Sequence, residues 1–132
     1  MKREIITTSD GSTTIHIREW NEQYHSIHGA IQEANHVYIQ HGLNYKTTNE
    51  ITVLEIGFGT GLNSFMTFLQ AQEKEIFIDY IGVEAFPILK EELLKLNYIS
   101  ELDATQFAEI FESLHSCSWE EKHQITSKFS AN

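Results

Sequence analysis

Three glycines at alternate positions, Gly57, Gly59 and Gly61, with an acid two residues ahead at Glu55, concentrate the potential chemistry of this sequence. They lie within Glu55-Ile56-Gly57-Phe58-Gly59-Thr60-Gly61-Leu62-Asn63. Glycine permits positive φ and lets the backbone approach a ligand closely. The Glu55 carboxylate can accept hydrogen bonds from a ligand's ammonium, directly or through water. A second acid, Glu84, follows 23 residues after Gly61. In nucleotide-binding α/β folds an acid at that station accepts hydrogen bonds from ribose hydroxyls. The pattern therefore suits a ribose-bearing ligand. Two better-known glycine loops are excluded: the dinucleotide fingerprint needs glycine where Leu62 stands, and the phosphate-binding P-loop needs a Lys-Ser/Thr pair that is missing. The bland reading is a strand–turn–helix whose glycines merely make the turn, with Glu84 capping the next helix.

These residues need particular elements around them. Ile51-Thr52-Val53-Leu54 is a short, β-branched, non-alternating run, which predicts a buried parallel strand. Leu62, Phe65, Met66 and Leu69 recur at helical spacing and predict a core-facing stripe over Leu62–Ala71. Glu75–Val83 predicts a second buried strand that delivers Glu84 at its C-terminal end. Pro87 suits the first turn of a helix striped by Leu89, Leu93 and Leu96. Asp103 with Gln106 has the spacing of a capping box before Phe107, Ile110, Phe111 and Leu114. Ile125–Phe129 predicts a third strand. The fold class is α/β, the first half of a doubly wound sheet.

Upstream, Glu4–Thr8 and Thr13–Ile17 read as strands around Ser9-Asp10-Gly11-Ser12, and Asp-Gly is a strong hairpin signal. An isolated hairpin is marginal, so Trp20 and Tyr24 are candidates to anchor it. A helix follows over roughly Ile31–His41, with Ile31, Ala34, Val37, Tyr38 and His41 on one face and Gly42 as its stop. Residues 1–48 thus form an arm, and 49–132 a partial ligand-binding α/β domain.

Composition narrows the class. The net charge is −10, from 9 basic and 19 acidic residues, which argues against non-specific nucleic-acid binding by this chain alone. Residues 1–48 hold 4 basic and 5 acidic groups and five of the seven histidines, so any face for an anionic partner belongs there. His25, His28, His36 and His41 lack a ligand set at familiar metal spacing, and no metal is expected. The lone Cys117 reads as a packed thiol and fits a reducing cytoplasm. Neither a membrane span nor a signal-peptide apolar region is present.

The Gly-x-Gly-x-Gly run with its preceding acid resembles the first motif of the S-adenosylmethionine-dependent methyltransferases. A more specific resemblance spans the N-terminal two-thirds. Thr8-Ser9-Asp10-Gly11-Ser12, Tyr24-His25-Ser26, Gly29-Ala30, Glu33 and His36-Val37-Tyr38-Ile39, then Glu55–Asn63, Glu84 and Pro87, are similar to the methyltransferase acting on the wobble uridine of tRNA. That enzyme is the methyltransferase half of the bifunctional tRNA 5-methylaminomethyl-2-thiouridine biosynthesis protein, and it also exists alone. The resemblance implies a Rossmann-like sheet, S-adenosylmethionine as cofactor, tRNA as partner, and methylation of an aminomethyl group. It implies cofactor contacts from Glu55, Gly57, Phe58, Gly59, Thr60, Gly61, Asn63 and Glu84, and a target-uridine pocket lined by Tyr24 and His25.

The sequence departs from the family in its last third. The Asp-Ala-Phe-x-Pro-like segment that follows the family's fourth strand, with the expected catalytic base, has no counterpart before Asn132. The acid or polar group that meets the adenine after the third strand is missing too, as is the late basic region suited to tRNA. The expectation is therefore half of a methyltransferase domain, inactive by itself, with no sign of whether an oxidase follows. In the family's strand order 3-2-1-4-5-7-6, the strand Ile51–Ile56 would be left as an exposed apolar edge. Such an edge would self-associate, be covered by the N-terminal hairpin, or leave the chain poorly folded. The alternatives are a methyltransferase fragment with a small-molecule or protein substrate, and a non-catalytic half-domain used for binding.

Overall fold

The computed structural model describes residues 2–132. The predicted hairpin forms: β1 (Arg3–Thr7) pairs antiparallel with β2 (Thr13–Ile17), and a two-residue β3 (Glu22–Gln23) completes a three-stranded sheet. The turn also caps a helix distant in sequence. Thr8 Oγ1, Ser12 Oγ and Asp10 Oδ2 accept the N–H groups of Ala30, Ile31 and Gln32 at 3.0, 3.1 and 3.0 Å. Gly29, which precedes that helix, has no side chain to do so, and its own Cβ would meet Asp10 Oδ2 at 2.8 Å. Burial pushes the Asp10 carboxyl up, but the donors from Ser12, Gln32 and Thr8 outweigh it and hold Asp10 below its ordinary range.

The helix so capped is α1 (Ala30–Glu33), which continues as a π-helix over Ala34–Gln40 and a 3₁₀ turn at Leu43–Tyr45. The π register corrects the expected face. Hydrogen bonds to i+5 widen each turn by one residue, so Ile39 is buried, whereas Val37 is 60% exposed. His41 also lies outside the core, its ring edge-on to His36.

The second sheet holds β4 (Glu50–Ile56), β5 (Phe77–Val83), β6 (His123–Thr126) and β7 (Phe129–Ala131) in the order β4-β5-β7-β6. β4, β5 and β7 are parallel, matching the expected order of first, second and third strands. β6 is antiparallel to β7 with an irregular register at Gln124/Thr126. The sequence from Ile125 to Phe129 is thus the end of β6, a turn at Ser127 and Lys128, and the start of β7, and the third parallel strand begins only at Phe129.

Between β4 and β5 runs α2 (Leu62–Lys74). After β5 come α3 (Lys90–Leu93), α4 (Tyr98–Glu101), a 3₁₀ turn at Thr105–Phe107 and α5 (Ala108–Ser116). The helix expected at Pro87 starts instead at Lys90, where the Glu92 carboxylate accepts the Leu89 N–H at 2.7 Å. Leu89 is 58% exposed, leaving Leu93 and Leu96 to meet the core. Asp103 does not cap: it adopts φ 51° and ends the α4 turn, and the helix carrying Phe111 and Leu114 begins at Ala108.

The core is aromatic. Phe65 and Phe68 of α2 pack edge-on against Phe111 and Phe107 respectively, Phe68 also meets Phe129, and Tyr98 meets Phe111. Phe68, absent from the expected stripe, is fully buried. Tyr98 donates its hydroxyl to the Thr13 carbonyl at 2.7 Å, tying the hairpin to the region after β5. Trp20 does not anchor the hairpin; it is 60% exposed.

β4 is not buried on both faces. Ile51, Val53 and Glu55 face the helices, while Leu54 and Ile56 are 63% and 76% exposed. The register places them beside Ile81 and Val83, and exposed Phe77 shares that face. Among the described residues no strand pairs with the outer edge of β4, and the hairpin forms a separate sheet. No described helix is long and apolar enough to cross a membrane.

Candidate functional site

β4 ends at Ile56 and the chain turns at once. The N–H groups of Gly57 and Phe58 both donate to the Val83 carbonyl, at 2.8 and 3.1 Å, so the loop is pinned to the end of β5. Gly57, Gly59 and Gly61 have φ of 87°, 58° and 76°. Gly61 stands immediately before α2, and its carbonyl accepts the Phe65 N–H at 2.9 Å.

Glu84 braces the loop from the other strand. Its Oε2 accepts the Gly59 N–H at 2.8 Å and its Oε1 accepts the Phe86 N–H at 2.9 Å. Glu55 is held between Tyr80, whose hydroxyl donates to Oε1 at 2.6 Å, and Asn63, whose amide donates to Oε2 at 2.8 Å. Burial pushes the Glu55 carboxyl up, with Glu84 adding to the rise, while the Tyr80 and Asn63 donors partly offset it. Tyr80 is itself pushed far above its ordinary value by burial and the adjacent Glu55 charge, so it remains a donor. The neighbouring Tyr38, bonded to Thr67 at 2.6 Å, is pushed up by burial to about 12.

Behind the loop sits His115 of α5. Its ring packs edge-on against Phe58 and Phe111, with centroids 5.2 and 4.9 Å away. Its Nε2 is buried without a hydrogen-bond partner among the described residues. Burial lowers its pKa to about 4, so the imidazole is neutral at pH 7. Periodicity gave no reason to separate His115 from its helix; only the contact with the loop does.

In front of the loop the hairpin arm closes a cleft of about 440 Å³. Its walls include Glu55, Gly57, Phe58, Gly59, Asn63 and Glu84 from the α/β part, and Tyr24 and His25 from the arm. Eight of the expected site residues therefore share one cavity. Thr60 and Gly61 do not line it. Thr60 is fully buried, its hydroxyl 3.3 Å from His25 Nε2, and Gly61 faces His115. The Phe58 ring points back toward Gly82 and His115. Tyr24 packs over the loop, its Cδ2 3.1 Å from where a Cβ on Gly59 would lie. The cleft also takes in Ile17, Trp20, Glu33 and Phe86, none of which sequence spacing marked as site residues.

The electrostatics are one-sided. Glu33, Glu55 and Glu84 line the cleft, and no Lys or Arg does. Among the described residues none of the three carboxylates forms a salt bridge with Lys or Arg. Such a cavity disfavours phosphate groups and suits a ligand carrying positive charge. No group of three or more metal-ligating side chains gathers among the described residues. Cys117 is half-buried, its thiol directed at the Leu114 carbonyl and pushed up by burial.

No family model matches the chain. Individual proteins do. It is 34% identical over 93 residues to the tRNA 5-methylaminomethyl-2-thiouridine biosynthesis bifunctional protein MnmC of Leptospira interrogans, which covers 64% of this chain and 14% of that protein. It is 34% identical over 85 residues to the protein of the same name from Campylobacter jejuni, covering 59% of this chain and 13% of that one. The crystal structure of MNMC2 from Aquifex aeolicus superposes with a TM-score of 0.63 at 25% identity, over 99% of this chain and 41% of the other. The resemblance read from the motifs is thus found again in sequence similarity over about three-fifths of the chain and in structural similarity over nearly all of it, and the fold is shared with a solved relative. The chain spans about one-seventh of the length of these bifunctional relatives.

Proposed function

We propose that this chain carries the S-adenosylmethionine-binding half of a methyltransferase that modifies the aminomethyl group of a tRNA wobble uridine. The coarser reading, a tRNA-modifying enzyme, draws on the names of its relatives. The observation that carries the finer one is the cleft itself: a bare glycine loop faced by carboxylates with no basic group. A Cβ on Gly57 would meet nothing within 4 Å, which leaves backbone open to a flat or extended ligand. A cofactor combining a sulfonium, an ammonium and a single carboxylate has the net positive charge this lining favours. When bound, that cofactor supplies an activated methyl group.

The chain's own residues then hold and orient. Glu55, fixed by Tyr80 and Asn63, is the acceptor for the ligand's ammonium. Glu84 retains lone pairs for ribose hydroxyls while bracing Gly59. Tyr24 and His25 close the cleft from the substrate side. An uncharged amine aligned with the methyl is the main requirement of such a displacement, and a base must take up the amine's proton. The family resemblance puts that base after a fourth strand. To these residues we assign the binding and orientation of the cofactor, in the cytoplasmic setting of tRNA modification.

Calorimetry with S-adenosylmethionine tests this reading. Binding is expected, and Glu84→Ala should weaken it by about 1–3 kcal/mol, since it removes a charge-assisted acceptor and orphans the Gly59 and Phe86 N–H groups. Absence of cofactor binding by the wild-type chain would overturn the reading, and an unchanged affinity in the variant would remove Glu84 from the site.

The open edge and apolar outer face of β4 favour self-association. Sedimentation should show concentration-dependent assembly, reversed by Ile56→Lys at an exposed position. A monomer at every concentration would exclude it.

A further inference from the structure

The cleft holds one carboxylate that the proposed cofactor does not use. Glu55 and Glu84 rise from the ends of β4 and β5, beside the glycine loop. Glu33 comes from the arm, at the end of α1, and faces the same cavity. Its Oε1 is 3.6 Å from His25 Nδ1. The same imidazole reaches Thr60 on its other side, Nε2 to Oγ1 at 3.3 Å, and the His25 backbone N–H donates to Thr14 Oγ1 at 3.0 Å. The ring thus lies between Glu33 and Thr60, with its backbone tied to Thr14. Glu33 has no Lys or Arg partner among the described residues. Burial drives His25 down more than Glu33 raises it, so the imidazole is neutral and leaves the Glu33 charge uncompensated.

We propose that Glu33, positioned by His25, is the specificity-determining anchor for a primary ammonium on the substrate. The cleft would then seat two cations on walls supplied by different elements, one for the cofactor and one for the substrate ammonium, which gives up its proton to the base before it attacks the methyl. Trp20, exposed on the same rim, offers a face on which a planar base can stack. The substrate of the proposed function, an unpaired nucleobase bearing an aminoalkyl group, matches both features. This inference rests on the function proposed above for the identity of the substrate. Its carrier is separate: an unneutralised, oriented carboxylate on the arm side of the cavity.

The test compares two nucleosides of nearly equal shape, 5-aminomethyluridine and 5-hydroxymethyluridine, titrated into the chain and followed by amide and imidazole NMR. The amine should bind about tenfold tighter, the effect of one charge-assisted hydrogen bond, and should shift the His25 ring signals. Glu33→Gln should erase that preference while the amide signals outside the cleft stay unchanged, showing that the fold is intact. A preference that persists in Glu33→Gln overturns the proposal, as does no preference in the wild type. If the amine preference is present but S-adenosylmethionine fails to bind, the methyl-donor reading falls and the Glu33 anchor stands. If the cofactor binds and the preference is absent, Glu33 alone falls.

Discussion

Gly61→Ala is expected to destabilise the chain by about 3 kcal/mol or more, the sum of a left-handed backbone strain of roughly 1–2 kcal/mol and a steric conflict. At φ 76° alanine is strained wherever its methyl points. Here the methyl would also lie 2.6 Å from His115 Nε2 and 3.1 Å from the Phe58 ring. Both rings are packed against each other, and His115 also against Phe111, so neither yields without moving α5 or the loop. Gly57→Ala makes the opposite case. Its φ of 87° carries similar strain, but the new methyl would meet nothing within 4 Å. It should cost about 1–2 kcal/mol of stability and a disproportionate share of cofactor affinity, because the empty space it fills is the ligand's. Urea unfolding and calorimetry on both variants separate the roles. Equal stability losses would mean that the rings behind Gly61 move freely. An unaffected affinity in Gly57→Ala would take the ligand away from Gly57.

The contrast between the two glycines shows what the sequence could and could not disclose. The loop was legible because its residue types are demanded locally: positive φ needs glycine, and the strand before it and helix after it follow from short-range periodicity. The order of the parallel strands came with the family resemblance, while the local pattern supplied only the alternation of strands and helices. What failed depended on partners distant in sequence. The π register that turns Val37 outward and Ile39 inward reflects how the arm packs on α2, and periodicity assumes 3.6 residues per turn. Asp103 has the right spacing for a capping box, yet the chain uses it at φ 51° to end a turn. The exposure of Leu54 and Ile56 is set by what lies next to β4, about which an apolar run says nothing. In the site, Glu55 and Glu84 stood out through motif spacing. Glu33, named only among the residues of the family resemblance, and His115, marked by no local signal, come to the cleft and to the back of the loop only through tertiary folding.

His115 gives the second large effect. Its pKa falls from an ordinary 6.5 to about 4 on folding, because burial disfavours the imidazolium. The unfolded chain therefore binds the proton more readily, and stability rises with pH across the window between those values. The contribution is fully present above about pH 6.5 and is lost as the pH falls toward 4. Between pH 7 and 4.5 the loss from this one group is about 2 kcal/mol by linkage. Other groups titrate in the same range. Glu55, raised by burial, acts in the opposite sense, its penalty relieved as it protonates, while His25, lowered by burial, acts in the same sense as His115. The difference between wild type and a variant without the imidazole cancels both. His115→Leu should be the less stable protein at pH 7, having lost its edge-on contacts with Phe58 and Phe111. It should lose about 2 kcal/mol less than wild type on going to pH 4.5, the linkage term having been removed. Urea unfolding at the two pH values measures this directly. Parallel losses in the two proteins would mean that His115 is solvated in the folded state, and that the wall behind the glycine loop is open rather than packed.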